Sequence, residues 1–182
     1  MTDAPSLGPK EPMTATPEDL FAYLDTLGIA HTTHWHEAVF TVDQGKELKA
    51  AMPGGHTKNL FLKDKDGAIV LIAAEAHSEL KLNKLHRLIG TKRLSFGPPE
   101  LMEELLGVTP GSVTAFALMN DKAGRVRFLV DAALMAHDPV NFHPLTNTGT
   151  TAISREGFEA FVRATGHGFE VIDFTQLLTE AE

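Results

Sequence analysis

Leu20, Phe21, Leu24 and Leu27 recur at helical spacing. Thr16 ahead of them is a good N-cap, Pro17 suits the first helical position, and Gly28 stops the run. The pattern then changes. HTTHWHEAVF, residues 31–40, reads as a strand ending in a turn, and residues 42–51 read as a short helix closed by Pro53-Gly54-Gly55. KNLFLKD and AIVLIAA are apolar runs on either side of Lys65-Asp66-Gly67, and an Asp-Gly turn between such runs predicts a hairpin. A basic helix is expected over roughly residues 79–89, ending at Gly90, and a second after Pro98-Pro99 with Leu101, Met102, Leu105 and Leu106 on one side. VTAFALM and RVRFLVD predict another antiparallel pair, turning around residues 120–124. A short helix over residues 132–136 leads to the strand-like PVNFHP. TTAIS is a further strand, Ser154 caps the helix EGFEAFVRAT, and FEVIDF closes the fold.

Strands and helices are interspersed, several strands are joined by hairpins, and no regular βαβ repeat is visible. This predicts an α+β fold, a mixed and largely antiparallel sheet with flanking helices, rather than a doubly wound one. Residues 1–14, rich in Pro, Gly and polar side chains, read as a flexible tail, and residues 15–182 as one domain. With 43% hydrophobic and 22% charged residues the chain reads as globular rather than disordered. No apolar run approaches a membrane span, and the opening stretch lacks the apolar segment of a secretory signal, so a cytoplasmic location is the simplest expectation. The absence of cysteine excludes disulfides, thiolate metal sites and cysteine nucleophiles. A formal net charge of −8 argues against retention on nucleic acid by bulk charge, yet leaves room for a local basic face.

Three features could carry chemistry. In Gly54-Gly55-His56-Thr57-Lys58-Asn59, two glycines permit close backbone approach and a lysine follows at the mouth of a strand. Lys58 shares a strand face with Leu60 and Leu62, whereas Asn59 and Phe61 face the other way. A lysine aimed inward needs an anionic or carbonyl partner; the plainer alternative is a surface lysine whose stem lies on apolar neighbours. Next, His143 precedes a proline and a run of hydroxyl and amide side chains, Thr146-Asn147-Thr148-Gly149-Thr150-Thr151. That run suits hydrogen bonds to a sugar or an ester, or equally to its own turn. Third, Lys81, Lys84 and Arg87 are spaced to line one exposed helical stripe while Leu82, Leu85 and Leu88 or Ile89 pack inward. Such a stripe suits phosphate contact as well as it suits plain solvation. His31, His34 and His36 cluster, but a regular strand puts His31 opposite the other two and no acidic ligand stands at a telling spacing, so no metal is expected. There is no P-loop, GxGxxG or GxSxG.

Together, HTKNLFL, AIVLIAA, LKLNKL with the following IG and RLSF, PGSV and FHPLTNTGTTAIS resemble, in order and spacing, the YbaK/ProX family of aminoacyl-tRNA editing domains. The resemblance covers nearly the whole chain after the tail and lies nearest the free-standing alanine-specific branch. It implies a hydrolase that needs no cofactor or metal and removes alanine from mischarged tRNA(Pro), with the tRNA acceptor end and prolyl-tRNA synthetase as partners. Lys58, Asn59 and His143 match positions that line the family's active site. Gly111 and Ser112 match its substrate loop, with Asn147 as a further substrate contact and Lys81, Lys84 and Arg87 as the tRNA-facing residues. Relatives carry G-x-x-x-P in that loop; here Gly111 to Ala115 ends in alanine, which bears on amino-acid specificity more than on reaction type. The alternatives are a deacylase for cysteinyl- or seryl-tRNA, and a non-catalytic protein that binds tRNA or a synthetase.

Overall fold

The computed structural model describes residues 14–38 and 42–178. Helix α1, Pro17–Thr26, begins in a capping box: the Thr16 hydroxyl accepts from the Asp19 N–H, and the Asp19 carboxylate accepts from the Thr16 N–H. Residues 1–13 of the expected tail lie outside the described residues. The Ala15 N–H donates to Asn120 Oδ1 at 3.2 Å.

The order along the chain is then β1 (His31–Trp35), α2 (Val42–Ala51), β2 (Gly55–Asp64), β3 (Ile69–Glu75), α3 (Leu82–Ile89), β4 (Leu94–Phe96), α4 (Pro99–Leu106), β5 (Val126–Asp131), β6 (Val140–Phe142), β7 (Gly149–Ile153), α5 (Arg155–Ala164) and β8 (Glu170–Ile172). The strands form one mixed sheet in the order β1-β7-β6-β2-β3-β5-β8, with β4 paired to the far end of β2. The pairs β1–β7, β7–β6, β2–β3 and β2–β4 are antiparallel; β6–β2, β3–β5 and β5–β8 are parallel. Residues 39 and 40 of the expected first strand lie outside the described residues.

Both faces of the central strands are covered, which is why β3 reads as a continuous apolar run. Phe61, Leu71, Ala73, Phe128 and Val130 face one core, built with residues of α1, α4 and α5. Leu62, Val70, Ile72 and Leu129 face a second, built with Leu85 and Ile89 of α3 and with Phe174 and Leu177.

The expected hairpin of VTAFALM with RVRFLVD does not form. Residues Ala115–Asn120 are a 3₁₀ helix, opened by Thr114, whose hydroxyl accepts from the Phe116 N–H, and β5 pairs in parallel with β3 instead. Ala115, Phe116, Ala117 and Leu118 are all fully buried, so no alternation of exposed and buried positions held this segment to a strand.

The Gly54-Gly55 pair is a packing requirement. Gly54 has φ +107°, and a Cβ there would lie 2.3 Å from the Pro139 carbonyl oxygen; one on Gly55 would lie 2.8 Å from His137 Cβ. Gly54→Ala is therefore expected to destabilise the fold by more than about 2 kcal/mol, measured by denaturant unfolding. A loss below about 0.5 kcal/mol would mean that β2 and the β6 entry separate easily.

Candidate active site

Strand parity and pairing place one set of polar side chains together. His56 pairs with Asn141 across β2–β6, and Phe142 pairs with Thr151 across β6–β7, so His56, Asn141 and Thr150 share a face of the sheet. Helix α2 lies over this face, leaving a cavity of ≈ 260 Å³ lined by Gly45, Leu48 and Lys49 from the helix and by His56, Thr57, Ala76, Asn141, Phe142, His143 and Thr150 below. A second cavity of ≈ 320 Å³ adjoins it across Leu48, lined among others by His34, His36, Glu37 and Glu47.

His143 is held by its own loop. Its Nδ1 lies 3.1 Å from the Gly149 carbonyl oxygen, an acceptor only, so Nδ1 carries the hydrogen and Nε2 of the neutral ring keeps its lone pair. Burial, with a smaller push from nearby His36, holds its pKa below the ordinary imidazole value although the Gly149 bond acts the other way. His56 is also lowered, mainly by burial, and its Nε2–H donates to the Met52 carbonyl at 2.7 Å. Asn141, 2% exposed, spends its amide on the Pro53 and Gly55 carbonyls, and its Oδ1 has no partner.

The other expected residues lie around this cavity without lining it. Lys58 follows Thr57 on β2, is exposed, and donates from Nζ to the Ser78 carbonyl, two residues beyond the lining residue Ala76. Asn59 projects to the opposite face from Lys58; its Nδ2 reaches Thr57 Oγ1 at 3.4 Å and its buried Oδ1 is unpartnered. Gly111 has φ +96°, and a Cβ on it would lie 3.7 Å from Asn147 Nδ2, so the Gly111 loop meets the loop that carries His143. Ser112 is buried beside it, its N–H bonded to the Thr109 carbonyl. Ala115 is buried at the start of the 3₁₀ helix, which the Thr114 hydroxyl caps.

The exposed basic stripe is corrected at Lys84, which is 6% exposed. Helix α3 starts at Leu82 rather than near residue 79, and Lys84 is buried next to the core residue Leu85. Lys81 precedes the helix and pairs with Glu79 at 3.0 Å; Arg87 remains exposed.

The model of the aminoacyl-tRNA editing domain matches residues 36–161. The chain belongs to that family. As an editing-domain protein it is an aminoacyl-tRNA hydrolase, and the family match spans both the lysine strand and the His143 loop. It is 31% identical to the prolyl-tRNA editing protein ProX of Acetoanaerobium sticklandii, over 85% of this chain and 94% of that one. It is 35% identical to the prolyl-tRNA synthetase associated domain-containing protein 1 of Xenopus laevis, over 86% and 96%. A crystal structure described as a candidate trans-editing enzyme for prolyl-tRNA synthetase superposes with a TM-score of 0.64 at 22% identity, covering 92% of this chain and 98% of that one; this likeness concerns the fold. Among the described residues, no helix is long and apolar enough to cross a membrane.

The cavity also gathers residues that were not named individually as site residues from the sequence. His56 and Thr150 line the cavity, and His36 bonds to Thr150 at 2.8 Å. His56 stands two residues before Lys58 and was open to the same parity argument. Thr150 stood in the hydroxyl-rich run after His143, but its place beside His36 needed the β1–β7–β6 pairing, which no local pattern announces.

Proposed function

We propose that this chain hydrolyses Ala-tRNA(Pro) in trans, as a proofreading partner of prolyl-tRNA synthetase. The observation that carries the reading is His143, whose Nδ1 is tied to the Gly149 carbonyl so that Nε2 of the neutral ring keeps its lone pair, in a cavity beside the lysine strand of an editing-family chain. The relative named as a prolyl-tRNA editing protein supports the tRNA; the resemblance of the sequence motifs to the alanine-specific branch supports the amino acid.

An aminoacyl ester is labile, so placing a water and neutralising the developing oxyanion supply much of the rate. Lys58 brings its ammonium to the carbonyl oxygen or the terminal ribose. His143 Nε2 takes the proton of the attacking water and returns it to the leaving ribose oxygen. The Gly111–Ser112 turn and Asn147 orient the aminoacyl-ribose end, while Asn59, on the opposite face of β2 from Lys58, braces Thr57 at the cavity wall. Lys81 and Arg87 contact acceptor-stem phosphates; neutralising both should raise KM and flatten its salt dependence.

The reading is tested by the pH profile of deacylation. Because the pKa of His143 is lowered, its base form persists below the ordinary value. The kcat/KM should therefore hold from pH 8 down to about 6.5 and fall only below it. An acid limb that begins well above this range would assign the base to another group.

A further inference from the structure

The cavity holds a second acceptor opposite His143. His36 sits just past β1, with Nδ1 2.7 Å from the Glu37 carbonyl oxygen and Nε2 2.8 Å from Thr150 Oγ1. A carbonyl only accepts, so Nδ1 of the neutral ring carries the hydrogen and Nε2 is the acceptor. The Thr150 hydroxyl therefore gives its single proton to His36 and keeps both lone pairs as acceptors. Thr150 is 4% exposed and lines the cavity. One step beyond the Phe142–Thr151 pair of the β6–β7 register, it stands across from His143.

The bond is not required to hold the strands together. The backbone already ties this point, with the His36 N–H on the Thr148 carbonyl at 2.9 Å and the Trp35–Gly149 pair beside it. On the other face, the same strand pair is joined directly by the Thr33 and Thr151 hydroxyls at 2.7 Å.

Two fixed acceptors across one small cavity match one ligand closely. Water has two hydrogens to donate, and with both engaged its own lone pair is left for attack. We propose that Thr150 Oγ1 and His143 Nε2 together hold the hydrolytic water, and that His36 is the positioning residue that keeps Thr150 an acceptor. This rests on the deacylase reading above. In the step itself, the water oxygen bonds to the ester carbonyl carbon and its proton passes to His143 Nε2. The ester C–O bond then breaks, and the same proton goes to the departing ribose oxygen. The products are the free amino acid and tRNA with its terminal hydroxyl restored. Thr150 keeps hold of the second water hydrogen through the attack and supplies no atom to the products. Unlike a covalent threonine route, this leaves no acyl-enzyme to resolve.

The test is steady-state deacylation of Ala-tRNA(Pro) by the full chain and three variants. Thr150→Val, of equal size but without the hydroxyl, should lower kcat by about 10- to 100-fold with KM within about twofold. Thr150→Ser should stay within about threefold of the parent, and His36→Phe should lose about tenfold in kcat with Thr150 in place. Circular dichroism and thermal melting confirm that each variant is folded. Undiminished kcat in Thr150→Val, or a Thr150→Ser variant as impaired as Thr150→Val, overturns the water site while the deacylase reading stands. A parent chain inactive on alanyl-, cysteinyl- and seryl-tRNA alike overturns both. A parent chain active only on cysteinyl- or seryl-tRNA overturns the alanine assignment, and the same variants read on that substrate then decide the water site by the same criteria.

Discussion

Lys58→Ala is expected to lower deacylation of Ala-tRNA(Pro) by at least about 100-fold, the scale seen when one preorganised stabiliser of an oxyanion is removed. The loss should fall on chemistry and not on folding. Lys58 is exposed, it donates to the Ser78 carbonyl, and its strand is held by seven paired positions with β3. Removing the ammonium leaves no buried charge unpaired and no cavity in either core. A methionine in its place keeps the stem and should be equally inactive, which separates charge from packing. Single-turnover deacylation checks the prediction, alongside an unfolding curve within about 0.5 kcal/mol of the parent. Turnover near the parent's in a folded Lys58→Ala protein would remove this residue from the centre of the site.

Much of this architecture was legible because its causes are local. The Thr16 and Ser154 caps, the Gly90 helix end and the Asp66-Gly67 turn each rest on a few neighbouring residues. The two-glycine approach was also legible, although its partner was not: only the fold brings Pro139 and His137 against Gly54 and Gly55. The errors arose where tertiary burial outweighed local pattern. Residues 113–119 read as a strand, yet burial on all sides let a capped 3₁₀ turn form. Lys84 matched an exposed stripe by spacing, but it is buried with Leu85 and Ile89 of the same helix. In the site, Lys58 and His143 could each be named from sequence. Their relation to His36, Asn141 and Thr150 depends on a parallel β2–β6 contact between residues about 85 apart.

The alanine assignment also carries a physical consequence. Alanine is smaller than proline, so a site that activates proline cannot exclude it by size, and a second site must reject the larger ring by a clash. A difference of one or two methylenes alone is worth about 1–3 kcal/mol, so discrimination beyond roughly 200-fold requires walls that do not yield. The walls proposed are the segment around Lys58 and the Gly111 loop, where Gly111 approaches Asn147 and Ala115 is locked into the buried turn. Ala-tRNA(Ala) carries the same amino acid, so it must be spared through the acceptor stem. Side-by-side time courses on Ala-tRNA(Pro), Pro-tRNA(Pro) and Ala-tRNA(Ala), at equal enzyme concentration, test this account most directly. It predicts rapid loss of alanine from tRNA(Pro) with the other two substrates largely intact; equal rates on Ala- and Pro-tRNA(Pro), or activity confined to cysteinyl- or seryl-tRNA, would contradict it.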